Sequence, residues 1–152
     1  SDHAATDLKA ELAEWMMEEV MLLLTLVKHR VQASSIATAA ELADVVADGT
    51  AKYGVALCGS GIGISISVNR HPGVRCALVS EPLSAALARE HNNANCIALG
   101  ARLTGIEMAK SCVATFLNTG FADEGDPSGR HQRRVAKLGN PPIDPDHIET
   151  HQ

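Results

Sequence analysis

The sequence predicts an α/β fold: a three-layer α/β/α domain around a mostly parallel sheet. Three observations predict it. Short apolar runs alternate with segments long enough to be helices. The intervals between those runs fit helical crossovers, which parallel strands require. A glycine-rich turn follows one apolar run directly and opens into a further apolar segment.

The elements follow in order. Leu8, Leu12, Trp15 and Met16 recur at helical spacing, so residues 4–18 are expected to form an amphipathic helix. Residues 20–27 are a short buried run, either a strand or a continuation of that helix. Residues 36–48 are Ala-rich, without Gly or Pro, and predict a helix stopped by Gly49. Residues 53–58 predict a strand that runs into Gly59, Gly61 and Gly63, and residues 64–69 a helix. Pro72 and Gly73 mark a turn, and residues 74–79 the next strand. Ser80 is a candidate cap for a helix over residues 82–90, with Pro82 in its first turn. Residues 91–95 are a polar break before a strand at 96–99. Thr104 and Glu107 have capping-box spacing. The helix behind them carries Ile106, Ala109, Val113, Phe116 and Leu117 on one face. Residues 120–129 read as an acidic, Gly-rich loop and residues 130–138 as a short basic helix. The expected organisation is one domain over residues 1–139 and a Pro-rich C-terminal tail over 140–152.

Composition narrows the function classes. The 152 residues suit a single domain, and 45% are hydrophobic. Aromatic residues make up only 3% of the chain, which implies an aliphatic core and disfavours a surface that stacks nucleic-acid bases. The net charge of −5 argues against nucleic-acid and membrane partners. Residues 20–27 are too short to span a bilayer, and no basic segment precedes an apolar one as in a signal peptide. The chain opens on Ser1 rather than Met, which suggests a processed or trimmed start. Cys58, Cys76, Cys96 and Cys112 form no Cys-x-x-Cys pair and sit in apolar surroundings. Free thiols of this kind point to a reducing compartment, hence the cytoplasm.

Three stretches could carry chemistry. The first is CGSGIG from Cys58. Its alternating glycines allow close backbone approach, amides there could converge on an anion or oxyanion, and the same field would favour the Cys58 thiolate. Ser60 adds a hydroxyl. The stretch also suits a plain strand-to-helix turn with a buried Cys. The second is REHNNAN from Arg89, where His91 could act as acid or base near neutral pH, or the Asn side chains could simply satisfy backbone groups. The third is RHQRR from Arg130. Arg130 and Arg134 share a helical face, and two guanidinium forks suit a phosphate, as they would also suit a solvated basic helix. Arg102, after a strand, could join them. Asp2 and His3 could grip sugar hydroxyls or a phosphate, or simply belong to a frayed terminus. His29, His71, His147 and His151 have no partner pattern and read as surface residues. A mononucleotide-binding domain is a weaker reading, because no acidic residue ends a following strand.

Taken together, CGSGIGISISVNR from Cys58, PGVRCA from Pro72, REHNNAN from Arg89, GAR from Gly100 and GRHQRRV from Gly129 resemble the type B ribose-5-phosphate isomerases. That family includes the galactose-6-phosphate isomerase subunits. The likeness runs from about residue 49 to 138, and the SDHAA opening also looks like the family's N-terminal motif. The resemblance implies a Rossmann-like domain and an aldose–ketose isomerase of the pentose phosphate pathway, interconverting ribose 5-phosphate and ribulose 5-phosphate through a cis-enediolate. It implies Cys58 as the base, Ser60 as a carrier of hydroxyl protons and His91 as the residue assisting ring opening. It further implies Asp2, Asn92 and the backbone at Gly59, Gly61 and Gly63 as substrate contacts. His3, Arg102, Arg130 and Arg134 are implied as phosphate ligands, with His131 beside them. No metal or organic cofactor is expected. The implied partners are a sugar phosphate and a second copy of the chain, in a homodimer or homotetramer with a site shared between subunits.

Two departures stand against that pattern. The strand that precedes the Ser-Asp-His motif in the family is absent from this sequence as written. The family's Tyr- and Pro-containing sugar-binding motif has no counterpart in residues 28–40, where Tyr, Pro and Asp are missing. Weakened or lost sugar binding is therefore expected. A galactose-6-phosphate isomerase subunit and a non-catalytic sugar-phosphate-binding member with an incomplete site are the alternatives.

Overall fold

The computed structural model describes residues 10–11, 31–33, 36–123 and 127–138. The expected run at 20–27 and tail at 140–152 lie outside them, and of the helix expected at 4–18 only helical residues 10 and 11 are described. The described elements run β1 (Val31–Ala33), α1 (Ile36–Ala47), β2 (Gly54–Cys58), α2 (Ile62–Val68), β3 (Cys76–Leu78), α3 (Pro82–Asn92), β4 (Cys96–Gly100), α4 (Ile106–Asn118) and α5 (Arg130–Leu138). The sheet has the order β1-β2-β4-β3, and every neighbouring pair is parallel. β1 is an element the sequence reading did not anticipate.

The two central strands, GVALC and CIALG, are nearly all apolar, as strands covered on both faces must be. Side chains alternate across a strand, so each strand feeds two cores. Val55, Leu57, Ile97 and Leu99 pack with Ala85 and Ala88 of α3 and with Ala109, Val113 and Phe116 of α4. Ala56, Cys96 and Ala98 pack on the opposite face with Leu42, Ala43 and Val46 of α1 and with Ile64 and Val68 of α2. These are the three layers the sequence predicted, and among the described residues the cores are aliphatic apart from buried cysteines, Phe116 and the flanking Tyr53.

Two caps differ from expectation. The N-cap of α3 is Glu81 rather than Ser80. Its carboxylate accepts from the backbone N–H of Leu83 and of Ser84, both at 2.6 Å. Two oxygens satisfy two orphan amides where a serine hydroxyl would satisfy one. The Thr104 capping box does not form. The N-cap of α4 is Gly105, without a side-chain bond, and Glu107 instead meets Lys110 at 3.3 Å. His71 is not partnerless, since its Nδ1 lies 3.5 Å from Asp44 Oδ1.

The REHNNAN stretch divides by direction. Arg89 is only 5% exposed. Its Nε donates to the Thr119 carbonyl, its Nη1 to Asn93 Oδ1 and the Ala94 carbonyl, and its Nη2 to the Tyr53 hydroxyl. The guanidinium also lies over the Tyr53 and Phe116 rings, which meet edge to face. Asn93 closes α3 at φ 45°, a left-handed conformation that Asn tolerates. Asn95 accepts the Arg75 N–H through Oδ1 and donates to the Gly73 carbonyl. Arg89, Asn93 and Asn95 are thus scaffold, while His91 and Asn92 are exposed.

Arg89→Met should lower stability by about 3 kcal/mol, because it strands several buried acceptors at once. Arg89→Lys should recover only part of that, since an ammonium cannot reproduce the fork. Urea midpoints at constant slope measure both losses.

Candidate active site

The turn after β2 is set by two close approaches. Gly61 has φ 77°, and a Cβ there would come within 2.6 Å of Leu78 Cδ1 and 2.9 Å of the Leu99 backbone. Gly100, paired with Cys58 at the ends of β4 and β2, lies under the same turn. A Cβ on Gly100 would sit 2.6 Å from the Ser60 carbonyl oxygen. Only glycine fits at either position. Gly63 faces open space.

This packing folds the turn around the Cys58 sulfur. The Gly61 N–H donates to Cys58 Sγ at 3.1 Å, and the Ile62 N–H donates to Ser60 Oγ at 3.3 Å. Burial pushes the Cys58 thiol up. The backbone N–H groups of Ile64, Ser60 and Gly61, with the Ser60 side chain, outweigh it and hold the pKa below the ordinary thiol value. The other cysteines differ. A hydrogen bond with Cys76, then burial, raises Cys96 well above the ordinary value, and burial raises Cys112. All four thiols are free. Arg102, also at the end of β4, lays its guanidinium stem over Gly59, with Nε 3.3 Å from where a Cβ would stand.

The second group of residues lies elsewhere. α3 runs back from the end of β3, and its 11 residues span about 16 Å. His91 and Asn92 therefore sit at the opposite end of the sheet from Cys58. There α5 packs on α3. The His91 and His131 rings stack with centroids 4.7 Å apart and planes 5° from parallel. Arg130 Nε donates to His131 Nε2 at 3.1 Å. Arg130 and Arg134 are exposed, whereas His131 is only 4% exposed. Asn92, Val135 and Leu138 border an open cleft of about 480 Å³ with Asn69, His71 and Arg75. The structure thus brings Cys58, Ser60, Gly59, Gly61, Gly63 and Arg102 into one group. It brings His91, Asn92, Arg130, His131 and Arg134 into another. Asp2 and His3 lie outside the described residues.

A sequence model of the ribose/galactose isomerase family matches residues 1–138. The chain belongs to that family. Ribose-5-phosphate isomerase B of Escherichia coli is 43% identical over 100 residues, which cover 66% of this chain and 64% of that protein. The match thus spans a little under two thirds of that relative's length. D-erythrulose-4-phosphate isomerase of Pectobacterium atrosepticum is 34% identical over 100% of this chain and 95% of its own length. Among solved structures, a ribose 5-phosphate isomerase from Thermotoga maritima superposes with a TM-score of 0.75 at 36% identity, covering 90% of this chain and 92% of that one. The superposition bears out the fold class and the family resemblance.

Iodoacetamide at neutral pH should modify Cys58 ahead of Cys76, Cys96 and Cys112. The pH midpoint of that reaction should lie below that of a short cysteine peptide, because the folded thiol loses its proton more readily. Ser60→Ala should move the midpoint up, and Gly100→Ala should move it further by displacing the whole turn. Peptide mapping across a pH series reads all three.

Proposed function

We propose that the protein is an aldose–ketose isomerase of sugar phosphates, converting ribose 5-phosphate and ribulose 5-phosphate into one another through a cis-enediolate. The observation that carries this reading is the Cys58 sulfur, gathered by backbone amides at the carboxyl end of a central parallel strand, where α/β proteins bind ligands. A base of lowered pKa beside a glycine turn suits removal of a proton next to a carbonyl. The Cys58 thiolate takes the proton from C2 of the aldose, and the C–H electrons form the C1=C2 bond as the C1 carbonyl becomes an oxyanion. Ser60 relays the proton from O2 to O1, and the thiol returns its proton to C1, leaving a carbonyl at C2. His91 opens the furanose ring, Asn92 binds a sugar hydroxyl, and Arg102, Arg130 and Arg134 hold the phosphate. Asp2 and His3 complete the substrate contacts.

Because Cys58 and His91 stand at opposite ends of one sheet, we assign the complete site to two copies of the chain. Each site takes Cys58, Ser60 and the glycine turn from one copy and His91, Asn92 and Arg130 from the other. A second reading concerns the sugar. The whole-length alignment with D-erythrulose-4-phosphate isomerase favours a four-carbon substrate, and the family's description includes galactose.

Isomerisation of ribose 5-phosphate, erythrulose 4-phosphate and galactose 6-phosphate, each followed by NMR, decides among the sugars. Activity on none of the three would favour a non-catalytic sugar-phosphate-binding protein. Cys58→Ala should lower kcat at least a thousandfold while leaving substrate binding intact. Mixing that variant with one carrying His91→Ala and Arg130→Ala should restore about a quarter of wild-type activity, since half of randomly formed dimers hold one intact site of two. No recovery on mixing would contradict the shared site.

A further inference from the structure

We propose that His131 does not itself hold the phosphate but is the positioning residue that couples the phosphate-binding Arg130 to the ring-opening His91. The proposal rests on the isomerase reading above for the roles of those two neighbours. His131 is buried, and its Nε2 is already committed as the acceptor from Arg130 Nε. A nitrogen that accepts carries no proton, so the ring proton of neutral His131 is on Nδ1. Nδ1 is also buried and has no partner among the described residues. Neither ring nitrogen is presented to solvent as a phosphate donor.

What the ring does is mechanical. Holding Arg130 by Nε leaves its Nη1 and Nη2 edge to point outward, the edge that binds a phosphate bidentately. The flat face of the same ring carries His91 at 4.7 Å in a nearly parallel stack. A stack fixes the plane of an exposed imidazole that would otherwise rotate freely. One buried ring therefore sets the direction of the anchor on α5 and of the acid–base group on α3. The two helices pack together at this point, so their packing would help set the distance between the bound phosphate and the sugar ring oxygen.

Two substitutions separate the two tasks. His131→Phe keeps a flat ring under His91 but removes the acceptor for Arg130. It should raise KM for ribose 5-phosphate about tenfold, as expected for one charge-assisted hydrogen bond, and change kcat less than threefold. His131→Gln keeps an acceptor near the Nε2 position but removes the stacked face. It should leave KM within about threefold and lower kcat on ribose 5-phosphate about tenfold. The same variant should keep wild-type kcat on erythrulose 4-phosphate, whose chain cannot close into a furanose and needs no ring opening.

A further arm measures binding alone, by calorimetry with inorganic phosphate, and does not require turnover. If His131 works through Arg130, adding His131→Phe to Arg130→Ala should weaken binding no further than Arg130→Ala does. Additive losses would make His131 a phosphate ligand in its own right and overturn the proposal. Equal loss of kcat by His131→Gln on both sugars would also overturn it, as a merely structural role would predict. A wild-type protein that binds phosphate but turns over none of the sugars would count against the isomerase reading, while the calorimetric cycle would still decide the Arg130 coupling.

Discussion

The contact between the Ser60 carbonyl and Gly100 is the constraint on which the site depends. Two parallel strands end side by side at Cys58 and Gly100. The chain leaving the first must turn immediately over the end of the second. With any side chain at Gly100 the turn would ride higher, and the Gly61 N–H would no longer reach the Cys58 sulfur. The amide bonds that favour the thiolate therefore come from backbone packing between two buried strands. They act at fixed geometry, which is the condition for electrostatic preorganisation.

A comparable economy governs the other end of the sheet. Arg89 is a buried cation whose observed partners are carbonyls, an amide oxygen, a phenol and two aromatic rings. Such a group is costly to bury and is tolerated because each of its donor groups finds an acceptor. In return it ties the end of α3 to the segment after α4 and to the start of β2. The left-handed Asn93 then reverses the chain into β4. His91 and Asn92 are left on the outer side of this knot, on a helix end tied down by the Arg89 bonds and the Asn93 cap. Two of the four aromatic residues serve this support: Tyr53 and Phe116 form the floor beneath the guanidinium.

Much of this was legible in the sequence, and for identifiable reasons. The alternation of apolar runs and the lengths between them gave the layers, because a parallel sheet covered on both faces forces that pattern. The glycine turn was visible because glycine is the residue that close backbone approach demands. The division of REHNNAN was not legible. A polar heptapeptide reads as surface until Arg89 is seen to have turned inward, and burial of a charge depends on acceptors contributed by residues far along the chain. The caps failed for a smaller reason. Ser80 is a preferred N-cap type and Glu is not, so composition pointed one residue away from the Glu81 cap that forms. The short strand β1 lies in a segment where Ala and Ser dilute any alternation, so its pairing with β2 is a tertiary effect. The stack of His91 on His131 joins residues forty positions apart, and no local spacing could announce it.

Topology explains why the candidate residues fall into two groups. In a parallel sheet every strand ends on the same side, and every helix carries the chain back to the other. Residues at the ends of β2 and β4 can meet one another, as Cys58 and Arg102 do in flanking the glycine turn. Residues at the end of a returning helix, such as His91, can meet only what lies at the beginnings of the strands. No rearrangement of side chains crosses the roughly 16 Å length of α3 that separates the two groups. A two-fold axis would do what a side chain cannot, because it would set the end of one sheet against the beginning of another, and would do so twice. On the proposed isomerase reading, a shared site then follows from the connectivity of the fold. The arginines of α5 and the thiol at the end of β2 would serve one substrate only across an interface, so assembly and catalysis would be governed by the same contacts.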